Sequence, residues 1–158
     1  MIIMGENIEL DLKNMKIDQL GYVYKDIEKQ AKIMEETFGI PPFAILEGTN
    51  TIIYRGKELE YSARIGISRW LGTQIELIQP LKGQSSHTEF LDKGREGLQH
   101  ISLFVDDIDP YVEDFKKKGF EISQSGQIGK QKFVYFDTEE AFGLSIEFQM
   151  TEKRRRKK

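Results

Sequence analysis

The sequence predicts an α+β fold: two tandem βαβββ modules whose strands make one curved, mixed sheet around a cup. Three observations carry this. Two separate segments of the chain overlay on later segments in the same order, the mark of an internal repeat. Each copy changes from strand-like to helix-like periodicity at the same point. Each copy also ends on a strand that alternates apolar residues with a central glutamate.

In the first overlay, residues 17–27 fall on 98–108, offset by 81 without a gap. Asp26 and Asp107 occupy the cap position, where a carboxylate accepts hydrogen bonds from free amides of the first helical turn. Ile27, Ala31, Ile33, Met34 and Phe38 give the first helix an apolar stripe ended by Gly39. Ile108, Val112 and Phe115, stopped by Gly119, do the same in the second, with Pro110 in its first turn. In the second overlay, residues 73–78 match 144–149 at an offset of 71, so the first copy carries ten additional residues. A longer hairpin around 54–58 absorbs them. The middle strands are expected over 42–47 and 60–68 in the first copy, and over 121–125 and 132–137 in the second.

The expected organisation is an N-terminal extension (1–15), a first module (16–82), a linker (83–96), a second module (97–150) and a basic tail (151–158). Ser86 or Thr88 caps a short linker helix through Phe90 and Leu91. Residues 153–158 are six consecutive cations, expected to be a solvated, disordered tail.

Composition narrows the function classes. At 158 residues with 39% hydrophobic and 31% charged side chains, the chain has an ordinary globular make-up. A net charge of −3 gives no reason to expect nucleic acid as partner. The absence of cysteine excludes disulfides, thiolate metal sites and cysteine nucleophiles, and suits the cytoplasm, the expected location. No segment approaches the ~20 apolar residues of a membrane span, and the apolar N-terminal run is too short for a signal peptide.

Strand parity then locates a site. Ile75 and Leu77 share one face of their strand and Gln74 and Glu76 the other; Leu144, Ile146 and Phe148 likewise oppose Ser145, Glu147 and Gln149. On the first strands, Gln19 and His100 lie opposite the helix-facing residues Leu20 and Ile101. Taken singly, a strand histidine is more often a satisfied polar group than a ligand, and a strand glutamate is more often solvated. The repeat makes them two related pairs: Gln19 falls on His100, and Glu76 on Glu147. Facing one another in a cup, one imidazole nitrogen and three oxygens suit a divalent cation (zinc, nickel, cobalt or manganese) with positions left open. Arg64, Arg69, Lys82 and Arg95 are candidates to hold a carboxylate, phosphate or CoA group. Phe43, Tyr54, Tyr61, Trp70 and Phe133 are candidate pocket aromatics, each with core packing as the commoner role. His87, among linker serines, is expected on the surface.

These residues resemble the vicinal oxygen chelate superfamily, which includes glyoxalase I and methylmalonyl-CoA epimerase. The resemblance runs from about residue 16 to 149. Its carriers are 17–21 with 25–29, the strand 75–81, the stretch 90–101, and Tyr135-Phe136-Asp137-Thr138 followed by Ile146-Glu147-Phe148. It implies paired βαβββ modules, a homodimer, and a divalent metal held by Gln19, Glu76, His100 and Glu147. The implied chemistry is that of a lyase or isomerase acting on a substrate with adjacent oxygens, of thiohemiacetal or acyl-CoA type. A proton moves beside a metal-bound carbonyl through an enolate-like intermediate, carried by Glu147. Gln19 stands where the epimerases carry histidine, and Glu76 where they carry glutamine, so the set is closer to glyoxalase I. For the epimerases' second glutamate, Glu60 is the nearest candidate. The superfamily also contains antibiotic-binding proteins without metal chemistry, so a non-catalytic small-molecule binder is the alternative. An extradiol dioxygenase is disfavoured because Gln19 replaces a required histidine.

Overall fold

The computed structural model describes residues 12–152; the basic run 153–158 lies outside the described residues, as does most of the expected N-terminal extension. After a single 3-10 turn (Leu12–Asn14), the order is β1 (Gln19–Val23), α1 (Ile27–Phe38), β2 (Ala44–Tyr54), β3 (Lys57–Trp70), β4 (Thr73–Lys82) and α2 (Ser86–Asp92). There follow β5 (Gly97–Phe104), α3 (Asp109–Lys117), β6 (Ile122–Ile128), β7 (Gln131–Phe136), α4 (Glu139–Phe142) and β8 (Ser145–Thr151). The expected curved sheet closes on itself as a barrel in the order β1-β4-β3-β2-β6-β7-β8-β5. Within each module the first and last strands run parallel. The modules join through the antiparallel pairs β1/β5 and β2/β6.

The additional residues of the first module lengthen strands instead of enlarging a loop. β2 and β3 span 11 and 14 residues against 7 and 6 for β6 and β7. Both therefore run beyond the expected 42–47 and 60–68. The hairpin turns on Arg55 (φ 47°) and Gly56 (φ 81°), two positive-φ residues between the pair Tyr54 and Lys57, which matches the right-handed twist of the strands.

The two helix starts differ, for a reason visible in the sequence. Asp26 accepts from the Lys29 amide, as expected of a cap. The equivalent position to Lys29 in the second module is Pro110, which has no N–H. Asp107 instead accepts from Asp109 N at 3.0 Å, and α3 begins without a side-chain cap. The linker helix is capped one residue before the expectation, by Ser85, whose Oγ accepts from Thr88 N while Thr88 Oγ1 accepts from Ser85 N.

Three apolar clusters follow from strand parity. α1 lays Ile27, Ala31 and Met34 over Ile75 and Leu77. α3 lays Phe115 over Val134, Phe136 and Phe148, with the Phe115 and Phe148 rings edge-on at 5.1 Å. The third cluster (Val23, Ile52, Tyr61, Ala63, Ile78) lies inside the barrel and receives Phe90 from α2. Among the described residues no helix is long and apolar enough to cross a membrane.

Candidate functional site

The local pseudo-twofold relation passes through the β1–β5 pair Leu20 and Ile101, which the repeat makes equivalent. On either side, Gln19 pairs with Ser102 and Gly21 with His100, so each module sets a small residue opposite the other's larger one. The pairing extends outward, with Gly21 opposite Glu76 and Ser102 opposite Glu147. Two adjacent rows result, Gln74–Gln19–Ser102–Glu147–Tyr135 and Glu76–Gly21–His100–Ser145, all pointing into the barrel.

The four residues singled out by the repeat come together around one atom. His100 Nε2 lies 3.3 Å from Gln19 Oε1, 3.4 Å from Glu76 Oε1 and 3.6 Å from Glu147 Oε2. The Gln19, His100 and Glu147 side chains are at most 2% exposed; Glu76 is 12% exposed and forms the open side. On the far side of the imidazole, Nδ1 is 2.7 Å from Gln99 Oε1. That contact holds a proton on Nδ1 and turns Nε2 toward the three oxygens. Gly21 is what admits the ring: a Cβ there would lie 1.9 Å from His100 Cε1.

The electrostatics follow from burial and crowding. Burial pushes the His100 imidazole down, but the Glu76 hydrogen bond and the Glu147 and Glu76 charges outweigh it and raise its pKa overall. Burial and the Glu76 charge raise the Glu147 carboxyl to about 7 against the opposing pull of His100, Tyr135 and Ser102. Ser102 Oγ donates to Glu147 Oε1 at 3.0 Å. Glu76, His100 and Glu147 do not by themselves make a closed metal cluster among the described residues. They stand as an imidazole shared between two carboxylates, with the Gln19 amide as the fourth donor. Ligands about 2.1 Å from a common ion lie roughly 3.0 to 3.4 Å apart, close to the separations found around Nε2. By its chemistry the set of one imidazole nitrogen and three oxygens would suit a divalent cation.

Sequence reasoning missed a second set of residues. Gln131 donates to Gln149, Gln149 Nε2 to Gln19 Oε1 at 3.2 Å, and Gln19 Nε2 to Gln74 Oε1 at 2.6 Å. This one-way chain of amides turns the Gln19 carbonyl to the centre. Parity had placed Gln74 and Gln149 on the cup face, and that was the available signal. His87 is a correction. Expected on the surface, it is 3% exposed, with Nδ1 2.9 Å from Tyr61 Oη and Nε2 3.3 Å from Tyr135 Oη. Its spacing from Phe90 and Leu91 (i, i+3, i+4) puts it on the buried face of α2. Tyr135 in turn lies edge-on to His100 at 4.9 Å and stands opposite Glu147 in the β7/β8 register.

Burial, with the neighbouring His100, lowers the His87 pKa to about 3. The unfolded chain takes up this proton near pH 6.5, so between 6.5 and 3 it binds more protons than the folded chain and stability falls as the pH is lowered. His87→Phe should shrink the stability lost between pH 6.5 and pH 5 by about 2 kcal/mol, read from urea unfolding at the two pH values. An unchanged difference would mean that the ring is protonated in place.

The remaining candidates separate cleanly. Tyr61 and Phe133 line the cup, whereas Phe43 and Trp70 pack on the α1 side and Tyr54 donates to Glu89. Glu60 is exposed on the outer face. Arg64 pairs outside the barrel with Glu47 and Glu28, and Arg95 with Glu139. The cup itself is a cavity of about 620 Å³ whose wall is mainly aliphatic and aromatic.

No curated protein sequence matches the chain. Solved structures share its fold. A hypothetical protein from Bacillus halodurans superposes with TM-score 0.64 at 19% identity, over 91% of this chain and 99% of that one. A Streptomyces coelicolor methylmalonyl-CoA epimerase variant in complex with 2-nitronate-propionyl-CoA does so with TM-score 0.64 at 17% identity, over 87% and 94%. The Mycobacterium tuberculosis methylmalonyl-CoA epimerase gives TM-score 0.62 at 18% identity, over 87% and 89%. At these identities the likeness is one of fold. The model of the Glyoxalase/Bleomycin resistance protein/Dioxygenase superfamily matches residues 18–136, a span holding Gln19, Glu76 and His100. The chain belongs to that superfamily.

Proposed function

We propose that the protein is a divalent-metal-dependent lyase or isomerase of glyoxalase or epimerase type, moving a proton on the carbon beside a carbonyl. Gln19, Glu76, His100 and Glu147 hold the ion, and Glu147 moves the proton. The observation that supports this most directly is the gathering of three oxygens within 3.3–3.6 Å of His100 Nε2. When bound, a zinc, nickel, cobalt or manganese ion supplies Lewis acidity to a substrate with two neighbouring oxygens.

The chain's own residues divide the remaining work. Gln99 keeps the His100 proton on Nδ1, and the amide chain through Gln149 keeps the Gln19 oxygen turned inward. Ser102 and Tyr135 hold the Glu147 carboxylate in place. In the ion-free chain burial and the Glu76 charge hold the Glu147 carboxyl above the usual carboxylate range, and a carboxylate of raised basicity suits proton transfer. The mainly apolar wall excludes water from that exchange, and is the one feature that also favours a non-catalytic binder.

Elemental analysis and calorimetric titration of the full chain with each of the four ions separate the two readings. One ion per chain, lost in His100→Ala, is expected. A folded chain that binds none of them after supplementation would overturn the metal-dependent reading.

A further inference from the structure

The charge pattern of the cup narrows the substrate. Strand parity turns β3 so that Tyr61, Ala63 and Ile65 face inward and Arg64 outward, into its pairs with Glu47 and Glu28. On β7, Phe133 and Tyr135 face inward while Lys132 points out to Glu152 at 3.2 Å. Among the described residues no lysine or arginine lines the cavity. Arg69 comes nearest by register, opposite Gln74, but it is exposed and donates to Gly72 O at 3.1 Å in its own turn.

Three of the neutral donors of the wall are committed as well: the side-chain amides of Gln131, Gln149 and Gln19 donate along one chain that ends on Gln74 Oε1. A divalent ion bound between Glu76 and Glu147 would leave the site with no positive charge to spare. A carboxylate or phosphate lodged against Ile52, Ile65, Ile78 and Phe133 would lose hydration with no cation to offset its charge. An alkyl or aryl group there would be buried favourably.

We propose that, beyond its two metal-facing oxygens, the substrate is uncharged and apolar: an alkyl or aryl compound with vicinal oxygens, and neither a glutathione conjugate nor an acyl-CoA. This rests on the reading that two neighbouring oxygens face His100, and it specifies what lies above them.

The test uses the full chain, both as purified and loaded with zinc. Calorimetry compares benzohydroxamic acid, which has two neighbouring oxygens on a neutral ring, with its para-carboxylate, with glutathione and with propionyl-CoA. The expected result is that the neutral probe binds at least tenfold more tightly than each charged one. A charged probe that binds as tightly as the neutral one overturns the inference, and so does a folded, zinc-loaded chain that binds none of them. A chain that takes up no zinc but keeps the tenfold preference supports this inference and overturns the metal-dependent reaction. Zinc binding with the preference reversed does the opposite.

Discussion

Gly21→Ala is expected to weaken metal binding by about 10- to 100-fold and to cut turnover with it, although the new methyl group replaces no polar atom and touches no substrate. The Cβ would sit 1.9 Å from Cε1, 2.1 Å from Nε2 and 2.3 Å from Nδ1 of His100, inside the imidazole itself. The ring is fully buried, with Tyr135 edge-on at 4.9 Å and His87 at 6.1 Å, so it cannot keep its present position beside the new methyl group. Either the ring swings out and breaks the Gln99 contact, or β1 and β5 separate. Overpacking of this kind costs about 1–3 kcal/mol of stability, and losing the orientation of one ligand weakens metal affinity by about 10- to 100-fold. Calorimetric metal titration alongside thermal unfolding checks both effects. Wild-type metal affinity in the alanine variant would show that His100 is not a ligand.

Glu147→Gln is expected to cut turnover by about 10²- to 10⁴-fold while leaving the fold intact or firmer. The amide oxygen still accepts from Ser102, but the group no longer takes up a proton. The folded carboxyl titrates at about 7 and the unfolded one near 4.5, so the folded chain holds the additional proton between those values. Stability contributed by this group therefore falls as pH rises through that window and is lowest above 7. At pH 8 the glutamine variant should unfold at the same temperature as the wild type or a higher one. Lower activity with equal or greater stability marks a group kept for chemistry at a cost to the fold. Turnover within tenfold of wild type would remove Glu147 from the proton-carrying role. A clearly lower unfolding temperature at pH 8 would make it a structural partner of His100. Solvent deuterium exchange at the carbon beside the carbonyl reads the first outcome, and calorimetry the second.

The two substitutions differ in how much of their rationale could be read without coordinates. Glu147 was legible because strand alternation is strict: a polar residue between Ile146 and Phe148 must lie opposite the helix-packed face, and the repeat pairs it with Glu76. The same parity carried Gln19 and His100 to the cup. The helix boundaries at Asp26 and Gly39 were equally local, since caps are set by residues within one turn. Gly21 was visible as a glycine on the cup face, but nothing local says that it stands across from His100. That fact depends on the β1/β5 register and on closure of the barrel. The cap at Asp107 was misread because the equivalence with Asp26 hid the missing amide of Pro110.

What the sequence alone determined, then, was the repeated βαβββ unit, the face each strand residue points to, and the four polar residues the repeat pairs. These depend on periods of 2 and 3.6 residues, which short-range geometry enforces. The tertiary structure decided that the sheet closes, that α2 drives His87 into the barrel against Tyr61 and Tyr135, that Gln131, Gln149 and Gln74 fix the direction of the Gln19 amide, and that among the described residues no lysine or arginine lines the cup. Those outcomes are pairings between residues up to 130 positions apart, as with Gln149 and Gln19. Register and barrel closure bring such pairs together through long-range packing, which no local pattern encodes.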